Sequence, residues 1–207
     1  MGSAREFLAL LGAGAIQPAE VARFLDDLSH EERVAAIRGV GRRAQQRLYE
    51  AVDGYAEVGL VDFVSPQVGT LQTVRHFGKN TLPAFSHFEK HFCRGKEIDP
   101  ERPEELCGFN FQRTSALTGP GYFVAVADKN RREVRVDYHR VPDTHPDGWP
   151  EIRSNERGLS RFVYGFMVDT LRRVSQHVTI GSAARKGKDL GSWFLLTRED
   201  AGGSTVG

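Results

Sequence analysis

The 207-residue chain is expected to fold as an α+β protein: N-terminal helices packed with an antiparallel sheet built from two hairpins flanking one long amphipathic helix. Three observations predict this. Apolar residues recur at helical spacing through the first third. Two pairs of strand-like runs, within 121–138 and 177–196, are each joined by a short polar turn. Between them, from Arg157 to Gln176, the residues Leu159, Phe162, Val163, Phe166, Met167, Leu171 and Val174 form one stripe at helical spacing, with Arg161, Asp169, Arg172 and Gln176 opposite.

Each element follows from local chemistry. Arg5 to Leu11 is a short helix that stops at Gly12 and Gly14. Pro18 stands at a first-turn position, ahead of Val21, Phe24, Leu25 and Leu28. Ser29 followed by Glu32 is a capping box, and Val34, Ile37, Val40, Leu48 and Val52 carry the pattern to Asp53-Gly54, with a break near Gly39 and Gly41. Further helices are expected over Val68–Phe77 and from Pro83 through Phe85, Phe88 and Phe92. The polar stretch 94–106, with Pro100 and Pro103, reads as loop. Gly121–Ala127 is a buried strand, and Val134, Val136 and Tyr138 alternate with charged residues on the strand pairing back. A long connection, 142–155, contains Pro142, Pro146, Gly148 and Pro150. The last hairpin, His177–Ala183 and Ser192–Leu196, turns at Arg185–Asp189. The chain thus divides into a helical part, 1–93, a sheet with its long helix, 94–200, and a disordered tail, 201–207.

Composition excludes several functions. There are 28 Lys and Arg against 27 Asp and Glu, a net charge of +1, so the chain lacks the basic surplus of a general nucleic-acid binder. No apolar run approaches the ~20 residues of a membrane span, and the polar N-terminus is unlike a secretory signal. With only Cys93 and Cys107, a reduced cytoplasmic setting is the simplest reading.

Several motifs fail on spacing. Leu11–Gly14 lacks the third glycine and preceding strand of a dinucleotide loop. In Gly181–Lys188 five residues separate the glycines where a phosphate loop needs about four, and Asp189 stands where Ser or Thr belongs. No Gly-x-Ser-x-Gly elbow exists. On a helix His87 and His91 would face one ion, making them candidate metal ligands; the plainer reading puts Phe85, Phe88 and Phe92 in the core with the histidines at its border. Cys93 and Cys107 have no Cys-x-x-Cys partner.

The runs Val134–Tyr138, Gly158–Gly165, Val178–Ile180 and Trp193–Leu196, with Phe77–Phe88 upstream, resemble the haem nitric-oxide/oxygen-binding (H-NOX) sensors and the 4-vinyl-reductase-type ligand-binding domains. The resemblance spans about residues 45–197. It implies the α+β fold, a ligand pocket between helices and sheet, dimerisation through the helices, and signalling to a separate partner. The family's haem-propionate clamp, Tyr-x-Ser-x-Arg, is only partly kept: Tyr138 fits, but Arg140 replaces the Ser and Pro142 the Arg. No histidine stands at 105–108, where the proximal ligand belongs, and the zinc-binding cysteine cluster of the vinyl-reductase-type domains is absent.

The leading expectation is therefore a non-catalytic sensor or interaction domain without cofactor, binding a small apolar or aromatic molecule among Phe77, Phe85, Phe88, Phe92, Phe109, Phe111, Tyr122, Phe123 and Tyr138. The alternatives are a haem-based gas sensor, with His91 or Cys107 as axial ligand and Tyr138 and Arg140 toward the propionates, and an enzyme using His139, Asp143, His145 and Asp147.

Overall fold

The computed structural model describes residues 2–12, 14–83, 86–112, 119–155 and 160–200, without the side chains of Ser160 and Phe162. Four helices come first: α1 (Gly2–Gly12), α2 (Pro18–Asp26), α3 (His30–Arg38) and α4 (Arg42–Ala51), followed by a 3-10 turn at Leu60–Asp62. Then come β1 (Val74–Asn80), β2 (His87–Cys93), β3 (Glu105–Phe111), β4 (Tyr122–Asp128), β5 (Glu133–Asp137), a single turn α5 (Ser160–Val163), β6 (Met167–Arg173), β7 (Val178–Arg185) and β8 (Lys188–Arg198). Each strand pairs antiparallel with the next, and β1 pairs with β8 through Gly78↔Leu196 and Asn80↔Phe194, closing an eight-stranded barrel.

This replaces the expected α+β fold, and with it the helix-and-hairpin architecture that the H-NOX resemblance implied. The local signals held. Pro18 starts α2, and Ser29 and Glu32 cap α3 reciprocally, Glu32 Oε2 accepting from the Ser29 N–H at 3.0 Å. Ser29→Ala is expected to lower the Tm by about 2–4 °C, measurable by calorimetry. The hairpin β4–β5 and the last hairpin lie where expected, and Lys186 and Gly187, both at positive φ, form the tight turn of β7–β8.

The misplaced helices share one cause: apolar runs that fit both periods. Of the helix expected from Pro83 through Phe92, residues 84–85 lie outside the described residues and the stretch from His87 is β2, in which Phe88, Lys90 and Phe92 point inward; the helix expected over Val68–Phe77 runs into β1. The loop expected over 94–106 ends in β3. Of the long helix expected from Arg157 to Gln176, residues 157–159 lie outside the described residues, and the stretch from Ser160 to Arg173 is α5 and β6: Phe166 sits at φ 61°, which ends the helical turn, and the β-branched Val168 and Thr170 favour the extended strand that follows. The tail at 201–207 lies outside the described residues.

Two cores result. One fills the barrel with Phe88, Phe92, Leu106, Phe123, Val134, Val136, Leu171, Phe194 and Leu196, and is stoppered by Val58, Leu60, Phe63 and Val64. The second lies between α1–α4 and the outer face of the last strands, where Phe7, Leu25, Ile37 and Leu48 meet Val174, Val178, Ile180 and Leu195. Inside the barrel, glycines make room for rings: a Cβ on Gly78 would lie 2.6 Å from Phe88, on Gly108 2.4 Å from Phe123, and on Gly181 2.2 Å from Phe194. No helix among the described residues is long and apolar enough to cross a membrane.

Candidate functional site: a cavity inside the barrel

The stopper closes the end of the barrel at which β1 begins. Arg198 donates to the Asp62 carbonyl at 2.6 Å, Arg173 pairs with the Asp62 carboxylate, and the His76 Nε2–H donates to the Phe63 carbonyl at 3.1 Å. His76 is wholly buried, and loss of solvent holds its pKa down at about 3.

The other end contains a cavity of about 390 Å³, within the range of small-molecule sites. Phe88, Phe194, Tyr138, Tyr164, Met167 and Ala183 supply its walls. At its mouth Leu82, Val163 and Leu190 are exposed to solvent. Arg42, also lining it, donates to the Gly191 carbonyl at 2.5 Å and lies over Trp193.

Four inward side chains, from β2, β3, β6 and the residue that follows β5, place a polar cluster in this apolar wall. Lys90 on β2 stands opposite Asn110 on β3, and its ammonium donates to Asn110 Oδ1 at 2.9 Å, to the Tyr138 hydroxyl, and to Asp169 Oδ2 at 3.1 Å. Tyr138 donates to Asp169 Oδ2 at 3.1 Å and accepts from Asn110 Nδ2 at 2.8 Å. The Lys90 and Asp169 side chains are only 2% and 3% exposed. Phe88, Phe123, Tyr138 and Phe194 all present rings within 5.9 Å of the Lys90 nitrogen. Loss of solvent draws the Lys90 amine below its ordinary value and the Asp169 carboxyl above its own, each opposed by the other's charge. Burial, with the Asp169 charge beside it, also pushes the Tyr138 hydroxyl well up. Asp169 Oδ1 is buried and has no hydrogen-bond partner among the described residues.

The barrel wall divides the residues expected at a site. Phe88 and Tyr138 line the cavity, and Phe92 and Phe123 pack in the barrel core beneath it, Phe92 against Phe63. Phe77, on the outer face of β1, packs against His30 of α3 at 5.2 Å. Phe109 and Tyr122 belong to an outer aromatic cluster under the 142–155 connection, where Trp149 meets Phe109 edge-on at 4.7 Å and donates to Thr73 Oγ1 at 2.8 Å. Phe111 is 47% exposed, and Phe85 lies outside the described residues.

The metal and haem candidates do not converge. On a strand His87 and His91 share a face but stand about 13 Å apart, too far to hold one ion. His91 instead bonds Glu89 at 2.8 Å. Cys107 faces Cys93 across β2–β3, both free thiols, with the hydrogen bond between them raising Cys93 and lowering Cys107. Arg140 pairs with Glu105, while Tyr138 is on the inner side of the wall. Among the described residues no three His, Cys, Asp or Glu side chains form a metal-binding group. His139 bonds Asp137, His145 bonds the Pro146 carbonyl, and Asp143 and Asp147 are exposed.

Sequence reasoning missed Lys90 and Asp169. The signal was present in Phe88-x-Lys90-x-Phe92: at a period of two, a lysine sits on the apolar side of a strand. A comparison with known protein families finds no matching family model, and no curated protein matches the chain.

Proposed function

We propose that the chain is a non-catalytic small-molecule receptor, holding a compact and largely apolar molecule with one hydrogen-bonding head inside the barrel. Asp169 carries this reading: its side chain lines an aromatic cavity, and its buried Oδ1 has no donor among the described residues. Buried polar atoms are paired in the great majority of cases, because an unmade bond costs the full desolvation of the atom. A ligand hydroxyl or amine supplies the missing donor, and the rings of Phe88, Tyr164 and Phe194 receive its apolar body. The exposed Leu82, Val163 and Leu190 give the mouth an apolar rim.

Calorimetric titration with 2-naphthalenemethanol, a bicyclic probe with one hydroxyl, tests this. Saturable binding at one molecule per chain is expected, and Ala183→Phe, which fills the cavity from its wall, should weaken it at least about tenfold, or 1.4 kcal/mol. No saturable binding, or binding that Ala183→Phe leaves unchanged, would refute the reading.

A further inference from the structure

We propose that Lys90 captures an aldehyde or ketone group of the bound molecule as an imine, with Asp169 taking and returning the proton. This rests on the cavity being a small-molecule site and goes beyond it in naming the head group. Lys90 is the only amine among the described residues that line the cavity, and its nitrogen sits 3.1 Å from Asp169 Oδ2. A lysine becomes nucleophilic when an apolar pocket favours its uncharged form. The surrounding rings and the near-total burial of both side chains supply that pocket, and the depressed Lys90 and elevated Asp169 values run in the required direction.

The step balances without any further reactant. The Lys90 ammonium passes a proton to Asp169 Oδ2, leaving a free amine and a neutral acid. The amine nitrogen forms a bond to the carbonyl carbon, and the carbonyl π pair goes to oxygen. A nitrogen proton then moves to that oxygen through the Tyr138 hydroxyl, which is hydrogen-bonded to both Lys90 and Asp169. The resulting carbinolamine carries the O–H donor that Asp169 Oδ1 lacks. Asp169 returns its proton to this hydroxyl, the C–O bond breaks, and water leaves a protonated imine beside the restored carboxylate. Asn110, bonded to both Lys90 and Tyr138, holds the amine in place.

The test is to incubate the whole chain near neutral pH with limiting 2-naphthaldehyde and cyanoborohydride, which reduces an imine to a stable amine, and to locate the naphthylmethyl group by peptide mass spectrometry. Lys90 should be modified at least ten times faster than any exposed lysine, 2-naphthalenemethanol should protect it, and Asp169→Asn should slow it at least tenfold. If the Asp169→Asn chain fails to fold by circular dichroism, the wild-type rate and its protection decide. Labelling confined to exposed amines overturns the proposal. If 2-naphthalenemethanol still binds in that case, the receptor reading stands and only the imine is lost; if it does not, both fall.

Discussion

Asp169→Leu is expected to destabilise the fold by about 3–5 kcal/mol, because it strands the Lys90 ammonium inside the barrel without a counter-charge. Burial of the pair at 2% and 3% exposure leaves no solvent to screen the loss. The double variant Lys90→Met/Asp169→Leu should recover most of that cost: apolar residues of similar size commonly replace a buried ion pair without penalty, and Phe88, Phe123 and Phe194 already surround the position. Urea unfolding of the two variants, compared at constant m, measures both values. A double variant as unstable as the single one would make the pair a requirement of the fold, and would remove the energetic reason to assign it chemistry.

Acid should weaken the protein through His76. Burial holds the folded pKa at about 3, the Phe63 bond pulling only partly the other way, whereas an unfolded histidine titrates near 6.5. Below pH ~6.5 the unfolded chain therefore binds a proton that the folded chain refuses. The contribution is complete above that value and is lost as pH falls toward 3, at about 1.4 kcal/mol per unit, or about 3 kcal/mol by pH 4. His76→Gln removes this site, so the stability advantage of the wild type over the variant should shrink by about 3 kcal/mol between pH 7 and pH 4. An advantage that stays constant across that range would assign acid sensitivity to other groups. Since His76 holds the Phe63 carbonyl, the stopper is the part expected to loosen first.

The helical third was legible because its signals are local. Pro18 fixes its own φ, and Ser29 and Glu32 bond one another within a single turn. The two hairpins were legible for the same reason. The barrel was not, because its closure rests on pairs such as Gly78↔Leu196, for which no short window carries a trace. Where a run fitted both periods, the helical choice also hid the site: it placed Asp169 on a solvent face opposite Leu171, whereas on β6 Met167, Asp169 and Leu171 share the inner side. Tyr138 and Phe88 were within reach as aromatics of the expected pocket, but the charged pair they flank was not.

Because β8 is hydrogen-bonded to both β7 and β1, the last of the barrel strands is also its lock. Until Lys188–Arg198 docks, β1 and β7 are raw edges able to recruit strands of other chains. The Lys90–Asp169 couple would still be wet, and so would contribute its desolvation cost only at the final act of assembly. Slow, all-or-none refolding with an aggregation-prone open form follows from that geometry.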